Sequence, residues 1–165
     1  METLEISSVG KLQIHPDVEE WVISEPISVP FCGGKELRFT FQGDLESDED
    51  FLIESNKTIE RFLKFDDSEK SKLTTPIYEN YLQTKHFYDS QGWALPTLEL
   101  NNESEIRNYV YPQEIFICRG DINAKSLYIL VVCECEWEQE HGLQLVFKNG
   151  IELSRVSNID YSPTE

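Results

Sequence analysis

The chain has 165 residues, and its 31 acidic residues outnumber its 14 Lys and Arg, which gives a net charge of −17 at pH 7. This length is typical of one domain, and 39% hydrophobic with 12% aromatic residues is enough for a core, unlike a disordered chain. Nucleic acids and anionic membranes require a basic surface, so we expect neither as a partner of the single domain over residues 1–165.

The N-terminal third has a β pattern. Apolar residues alternate over residues 21–31 and again over residues 37–42, which predicts two strands. The sequence Cys32-Gly33-Gly34-Lys35 lies between them and is typical of a tight turn, so a β-hairpin is expected. Pro26 and Pro30 lack backbone donors, which places the first strand at an edge or a bend.

The centre changes to a helical period. A helix is predicted from Phe51 to Leu63, with the preceding Ser47-Asp48-Glu49-Asp50 offering N-cap oxygens and negative charge at its first turn. A second helix is predicted to begin at Thr75-Pro76 and to run towards Phe87, and a short one to cover residues 103–110. In the loop between these two, Trp93 is expected to anchor the chain on the core, with a binding loop as the alternative.

The C-terminal third returns to β. Strands are predicted over residues 114–118, 127–137, 143–147 and 151–156, with Asn149-Gly150 forming a type I′ turn between the last two. The predicted fold class is therefore α+β, with an N-terminal β-hairpin, a helical middle and a C-terminal antiparallel meander, and with the helices on one face of the sheet.

An acidic run follows the two cysteines of the longest predicted strand. If the strand continues to Trp137, then Cys133, Cys135 and Trp137 point to the core, while Glu134, Glu136 and Glu138 form a ladder on the opposite face. Stacked like charges repel, so such a ladder requires something to offset it. Three interpretations stay open: a solvated sheet face, a docking surface for a basic protein that also uses Glu140, or a metal site.

The metal interpretation uses Cys133, Cys135 and His141. No second Cys or His pair lies at zinc spacing, so these residues are weak candidates and we expect no metal. No phosphate-binding loop, nucleophile elbow or protease motif is found either, so we expect no cofactor, no catalytic residue and no enzyme activity.

A second acidic cluster contains Asp44, Glu46, Asp48, Glu49 and Asp50, of which the last three are the candidate contacts. A calcium loop beginning at Asp44 would require Gly at its sixth position and Glu at its twelfth, where the chain has Glu49 and Ser55. The cluster is therefore interpreted as a helix N-terminus and as a second patch for a basic partner.

Four segments have a recognisable combination of residues: 24–27, 31–37, 111–115 and, most specifically, 133–147, which reads CECEWEQEHGLQLVF. Together they resemble a bacterial domain family of unknown function that is associated with toxin-immunity loci. The resemblance covers about residues 20–160 and implies an immunity-type inhibitor that binds a cognate toxin. That family provides no established catalytic residue to transfer to this chain.

The first 20 residues lack the basic and apolar regions of a signal peptide, and the longest apolar run, residues 127–133, is far shorter than the roughly 20 residues of a membrane helix. We therefore expect a cytoplasmic protein with reduced cysteines.

The functional prediction is a non-catalytic acidic domain that binds a basic protein, and the alternative is a small metal- or ligand-binding domain. The sequence does not predict the oligomeric state.

Overall fold

The computed structural model describes residues 4–65, 67–120 and 126–163. The strands in this part of the chain are β1 Leu4–Ile6, β2 Gly10–Ile14, β3 Val22–Ser24, β4 Ile27–Val29, β5 Lys35–Leu37, β6 Phe39–Gln42, β7 Val110–Arg119, β8 Leu127–Cys135, β9 Leu143–Lys148 and β10 Glu152–Ser157. The α-helices are α1 Phe51–Phe62 and α2 Asp67–Gln91, and 3₁₀ helices cover Pro30–Cys32 and Glu103–Tyr109.

Eight of these strands form one sheet in the order β1-β2-β3-β6-β7-β8-β9-β10, and β4 and β5 form a separate pair. All neighbours are antiparallel except β6 and β7, which are parallel, and both α-helices lie in the connection between these two strands. A mixed α+β fold with N-terminal hairpin strands and a C-terminal meander is therefore confirmed.

The predicted N-terminal turn is observed in the pair β4–β5. Ile27 pairs with Leu37, and the chain reverses between them through Gly33 and Gly34, both of which have positive φ. The predicted turn between β9 and β10 also holds, because Asn149 and Gly150 have φ of 56° and 78°, as a type I′ turn requires.

Two apolar clusters lie on opposite faces of the sheet. Ile129, Val131 and Cys133 of β8 belong to the larger cluster, and Leu130 and Val132 belong to the smaller one, as alternation along a strand requires. The larger cluster also contains side chains from both helices, which are Phe51, Ile59 and Phe62 of α1 and Leu73, Ile77 and Tyr81 of α2. The smaller cluster contains Phe116, Cys118 and Val146 as well, with Tyr128 and Ile159 packed against it.

The segment after β10 is attached to β9 and β10 by polar contacts. The amide nitrogen of the fully buried Gln144 donates to Asp160 Oδ1 at 3.0 Å and to the Ser162 carbonyl at 3.1 Å, and its oxygen accepts from the Tyr161 N–H at 3.0 Å. Both terminal nitrogens of Arg155 donate to the Asp160 carboxylate, at 2.8 and 2.9 Å. This segment brings Ile159 against the smaller cluster.

The structure differs from the sequence-based elements at several places. Each strand of the predicted hairpin is divided in two, as β3 with β4 and as β5 with β6. Strands β1 and β2 were not predicted, and α2 begins eight residues before Thr75 and continues through Pro76. The side chain of Asp50 makes no N-cap hydrogen bond to α1. Within the described residues, no helix combines the length and the apolar character that crossing a membrane requires.

Candidate protein-binding surface

Strand β8 ends at Cys135, which pairs with Val110, the first residue of β7. Residue 109 belongs to a 3₁₀ helix, so β8 has no strand to pair with beyond this point. The chain turns instead, and the Gly142 N–H donates to the Glu138 carbonyl at 2.9 Å. The predicted continuation to Trp137 is wrong, and the predicted ladder of Glu134, Glu136 and Glu138 on one strand face does not form.

Residues 134–141, here called the acidic loop, are held on α2 by Trp137. The indole is 1% exposed, its Nε1–H donates to Asn80 Oδ1 at 3.0 Å, and its ring lies 5.7 Å from that of Tyr81 in an edge-to-face arrangement. The prediction that Cys133, Cys135 and Trp137 are core residues is confirmed. Burial of the indole fixes the backbone of the acidic loop at this position.

The four glutamates of the acidic loop have different environments. The side chains of Glu134 and Glu140 are exposed, and neither carboxylate makes a hydrogen bond or ion pair with the described residues. Glu136 is partly buried and accepts a hydrogen bond from the Tyr111 hydroxyl at 3.0 Å, which raises the pKa of Tyr111. Glu138 is only 8% exposed, and its Oε1 lies 3.1 Å from His141 Nδ1, so it is not an open contact point as predicted.

Three aromatic rings at the end of α2 adjoin the acidic loop. Phe87, Tyr88 and Trp93 contact each other edge to face, with ring centroids 5.7–6.3 Å apart, and Phe87 and Trp93 are 55% and 54% exposed. We call these three residues the aromatic cluster. The negative charges of Glu138 and Glu140 raise the pKa of Tyr88, which shows that the cluster and the loop share an electrostatic environment.

The aromatic cluster corrects one sequence-based expectation. Trp93 does not anchor its segment on the core, because more than half of its surface is exposed and its ring contacts are with Phe87 and Tyr88. The signal in the sequence was the spacing of Phe87-Tyr88 and Trp93, which places three rings around the end of one helix.

The second acidic cluster contributes in part to the fold. Asp48 Oδ1 accepts a hydrogen bond from Arg119 at 3.1 Å, and this guanidinium lowers the pKa of the Asp48 carboxyl. Arg119 also forms an ion pair with Glu54 of α1 at 2.5 Å. Of the three predicted contact residues in this cluster, Glu49 and Asp50 are exposed, so a partner can reach them.

The two acidic regions lie at opposite ends of β7. Its first residue, Val110, pairs with Cys135 beside the acidic loop, and its last residue, Arg119, carries the ion pair with Asp48. At about 3.3 Å per residue, ten strand residues separate the two regions by about 30 Å. The seven predicted contact residues therefore do not form one continuous surface.

The candidate metal ligands are not assembled. The Sγ atoms of Cys133 and Cys135 lie in the core near the Val131 and Glu138 carbonyls, and burial raises the pKa of both thiols, that of Cys135 to about 11. The side chain of His141 is 60% exposed and pairs with Glu138. Over residues 4–65, 67–120 and 126–163, no group of three or more His, Cys, Asp or Glu is arranged to hold a metal ion.

These features define a mostly antiparallel α+β domain with a fixed acidic loop beside exposed aromatic rings. Residues 8–163 match the model of a family described as a domain of unknown function (DUF6985), and the chain belongs to this family. Searches of curated proteins and of solved structures found no match to the chain.

Proposed function

We propose that the chain is a non-catalytic protein-binding domain that acts as an immunity-type inhibitor of a cognate, basic bacterial toxin. The observation that carries the proposal is the contact region formed by the acidic loop and the aromatic cluster. The chain resembles a bacterial family that is associated with toxin-immunity loci, and this resemblance supports the same function. The net charge of −17 supports it as well.

The two parts of this region supply different components of binding. Exposed carboxylates at Glu134 and Glu140 attract a basic partner over long range and can occupy a cleft that otherwise binds phosphates. Exposed Phe87 and Trp93 supply apolar area and ring faces for the guanidinium or ammonium groups of the partner. In this proposal the helices cover one face of the sheet, and the partner binds at the end of the sheet where α2 meets the acidic loop.

The opposite end of the sheet provides a matched control. The double reversal Glu134→Lys, Glu140→Lys and the double reversal Glu49→Lys, Asp50→Lys change the net charge equally, and all four side chains are exposed. Only the first pair lies in the proposed contact region. Any effect of total charge on association is therefore common to both variants, and the difference between them reports the location of the partner.

The test uses the protein encoded by the gene next to that of this chain, if that gene encodes a toxin. Co-expression should restore growth, and binding kinetics measured over a range of salt concentrations should show fast, salt-dependent association. We expect the acidic-loop variant to associate at least about tenfold more slowly, with a weaker salt dependence, and the control to stay close to the unmodified protein. Failure to protect the cell refutes the proposed function, and equal kinetics of the two variants refutes the proposed surface.

A further inference from the structure

A pocket of about 400 Å³ opens between the N-terminal hairpin, α2 and the 3₁₀ helix Glu103–Tyr109. Apolar side chains contribute to its wall, namely Phe31 of the hairpin, Ile77 of α2 and Leu145 of β9. The 3₁₀ helix contributes the polar groups of Ser104, Arg107 and Asn108. Apolar walls with a few polar groups on one side are typical of small-molecule sites, which usually span about 300–1,000 Å³.

Arg107 is the unusual residue of this pocket. Its side chain is partly buried, its Nε is buried without a hydrogen-bond partner, and no ion pair of its guanidinium occurs within the described residues. Arg119 and Arg155 are also partly buried, and Arg155 Nε likewise lacks a partner, but both of these guanidinium groups pair with carboxylates, as that of Arg107 does not within the described residues. A buried donor without an acceptor is costly, and acidic residues exceed basic ones by 31 to 14, so an unpaired guanidinium here indicates a missing anionic acceptor.

The charged side chains at this pocket are positive. Among the described residues that line it, none is acidic, although Asp and Glu are abundant in the chain. A second cation lies close by, because Lys35 Nζ donates to the carbonyl of Pro112, a lining residue, at 2.6 Å. The described lining is therefore largely apolar and carries positive charge, and Glu103 and Glu105 of the same 3₁₀ helix lie outside it.

We infer that this pocket binds a carboxylate with an apolar tail. Arg107 forms a bidentate pair with the carboxylate, the side-chain amide of Asn108 offers a further donor, and the tail contacts Phe31 and Ile77. A cavity of about 150 Å³ accepts a benzene molecule, so 400 Å³ has room for a ring or a short alkyl chain together with the carboxylate. The source of this group is either a free organic acid or the C-terminal residue of a peptide, and the inference does not depend on the proposed inhibitor function.

The probes are 3-phenylpropanoate and octanoate, with their primary amides as uncharged analogues. Nitrogen-15 NMR observes the Nε–H of Arg107 directly, and the backbone amide signals of residues 104–110 report binding in variants that lack this side chain. We expect both carboxylates to shift this signal, the amides to leave it in place, and Arg107→Gln to weaken binding at least about tenfold. A peptide ending in a free Phe carboxylate and its C-terminally amidated form distinguish the two sources, since tighter binding of the free peptide than of the acids assigns the pocket to a chain terminus.

Two further variants separate recognition from folding. Lys57→Gln removes the same charge from an exposed position of α1 and should leave binding unchanged. Arg107→Lys keeps the charge without the planar fork and should bind with intermediate affinity. The inference is overturned if no probe shifts the Arg107 signal up to about 10 mM, if the amides bind as well as the acids, or if folded Arg107→Gln binds normally.

Discussion

Gly142 follows the acidic loop directly and should be highly sensitive to substitution. Its φ is +64°, and a Cβ atom at this position would lie 2.7 Å from the carbonyl oxygen of Cys133. An L-residue in the left-handed region costs about 1–2 kcal/mol, and inserting an atom into a packed site costs about 1–3 kcal/mol. We therefore expect Gly142→Ala to lower the free energy of unfolding by about 2–5 kcal/mol, a large part of a typical domain stability of about 5–15 kcal/mol.

Gly92→Ala is the matched control for this substitution. Gly92 has nearly the same φ, +71°, but a Cβ there meets no atom within 4 Å, so only the backbone cost of about 1–2 kcal/mol remains. Urea unfolding followed by far-ultraviolet circular dichroism gives both free energies. Equal destabilisation by the two substitutions would show that the packing around Gly142 yields freely, which would refute the view of the acidic loop as a fixed structure.

The remaining predictions concern the segment after β10, the indole anchor and the thiols. The neighbouring guanidinium lowers the pKa of Asp160 from 3.8 to about 2, a difference of about 2.5 kcal/mol, which we reduce to about 1 kcal/mol because 47% of the side chain is exposed. This stabilisation is complete above about pH 4 and is lost as the pH falls through about 2, so Asp160→Asn should flatten the stability profile in acid urea titrations. Trp137→Phe removes the hydrogen bond to Asn80 and should cost about 1–3 kcal/mol in the same unfolding assay, and no change would contradict the anchoring role. Cys133 and Cys135 should resist iodoacetamide at pH 8 until the protein unfolds, and rapid labelling of either in the native state, read by mass spectrometry, would contradict their burial.

The sequence predicted the local elements whose signals lie within a few residues. Gly33-Gly34 and Asn149-Gly150 mark turns because their backbone conformations are accessible to few other residues, and both turns are observed. The predicted end of β8, residue 137, lies two residues beyond the observed end at Cys135, because alternation in the sequence does not reveal where the neighbouring strand ends. The end of β8 depends on the 3₁₀ helix before Val110, which lies about 25 residues away along the chain.

Helix α2 shows the opposite error. The sequence predicts Pro76 at the first position of the helix because proline is favoured there, yet the helix begins at Asp67. Leu73, Ile77 and Tyr81 are all buried in the larger cluster, and this spacing of four residues on both sides of the proline favours one continuous helix. Tertiary burial here outweighs the hydrogen bond that proline removes.

The contact region and the pocket could be predicted only in part. The acidic loop was visible as a composition, but the burial of Glu138 and the pairing of Asp48 with Arg119 depend on contacts between distant segments. Arg107 gave no signal at all, because its unpaired state is a property of the hairpin, α2 and the 3₁₀ helix together. Such sites require the packing of elements, which single-sequence patterns do not contain.

The parallel pair β6–β7 also has a consequence for the order of folding. It joins Phe39 to Ile115 in the middle of the eight-stranded sheet, across the whole helical connection, whereas β7 to β10 pair between neighbours along the chain. Contacts between distant segments form slowly because a long loop must close first. The C-terminal meander is therefore expected to assemble early as a template, and docking of the N-terminal strands onto β7 to be the slow step that completes the sheet.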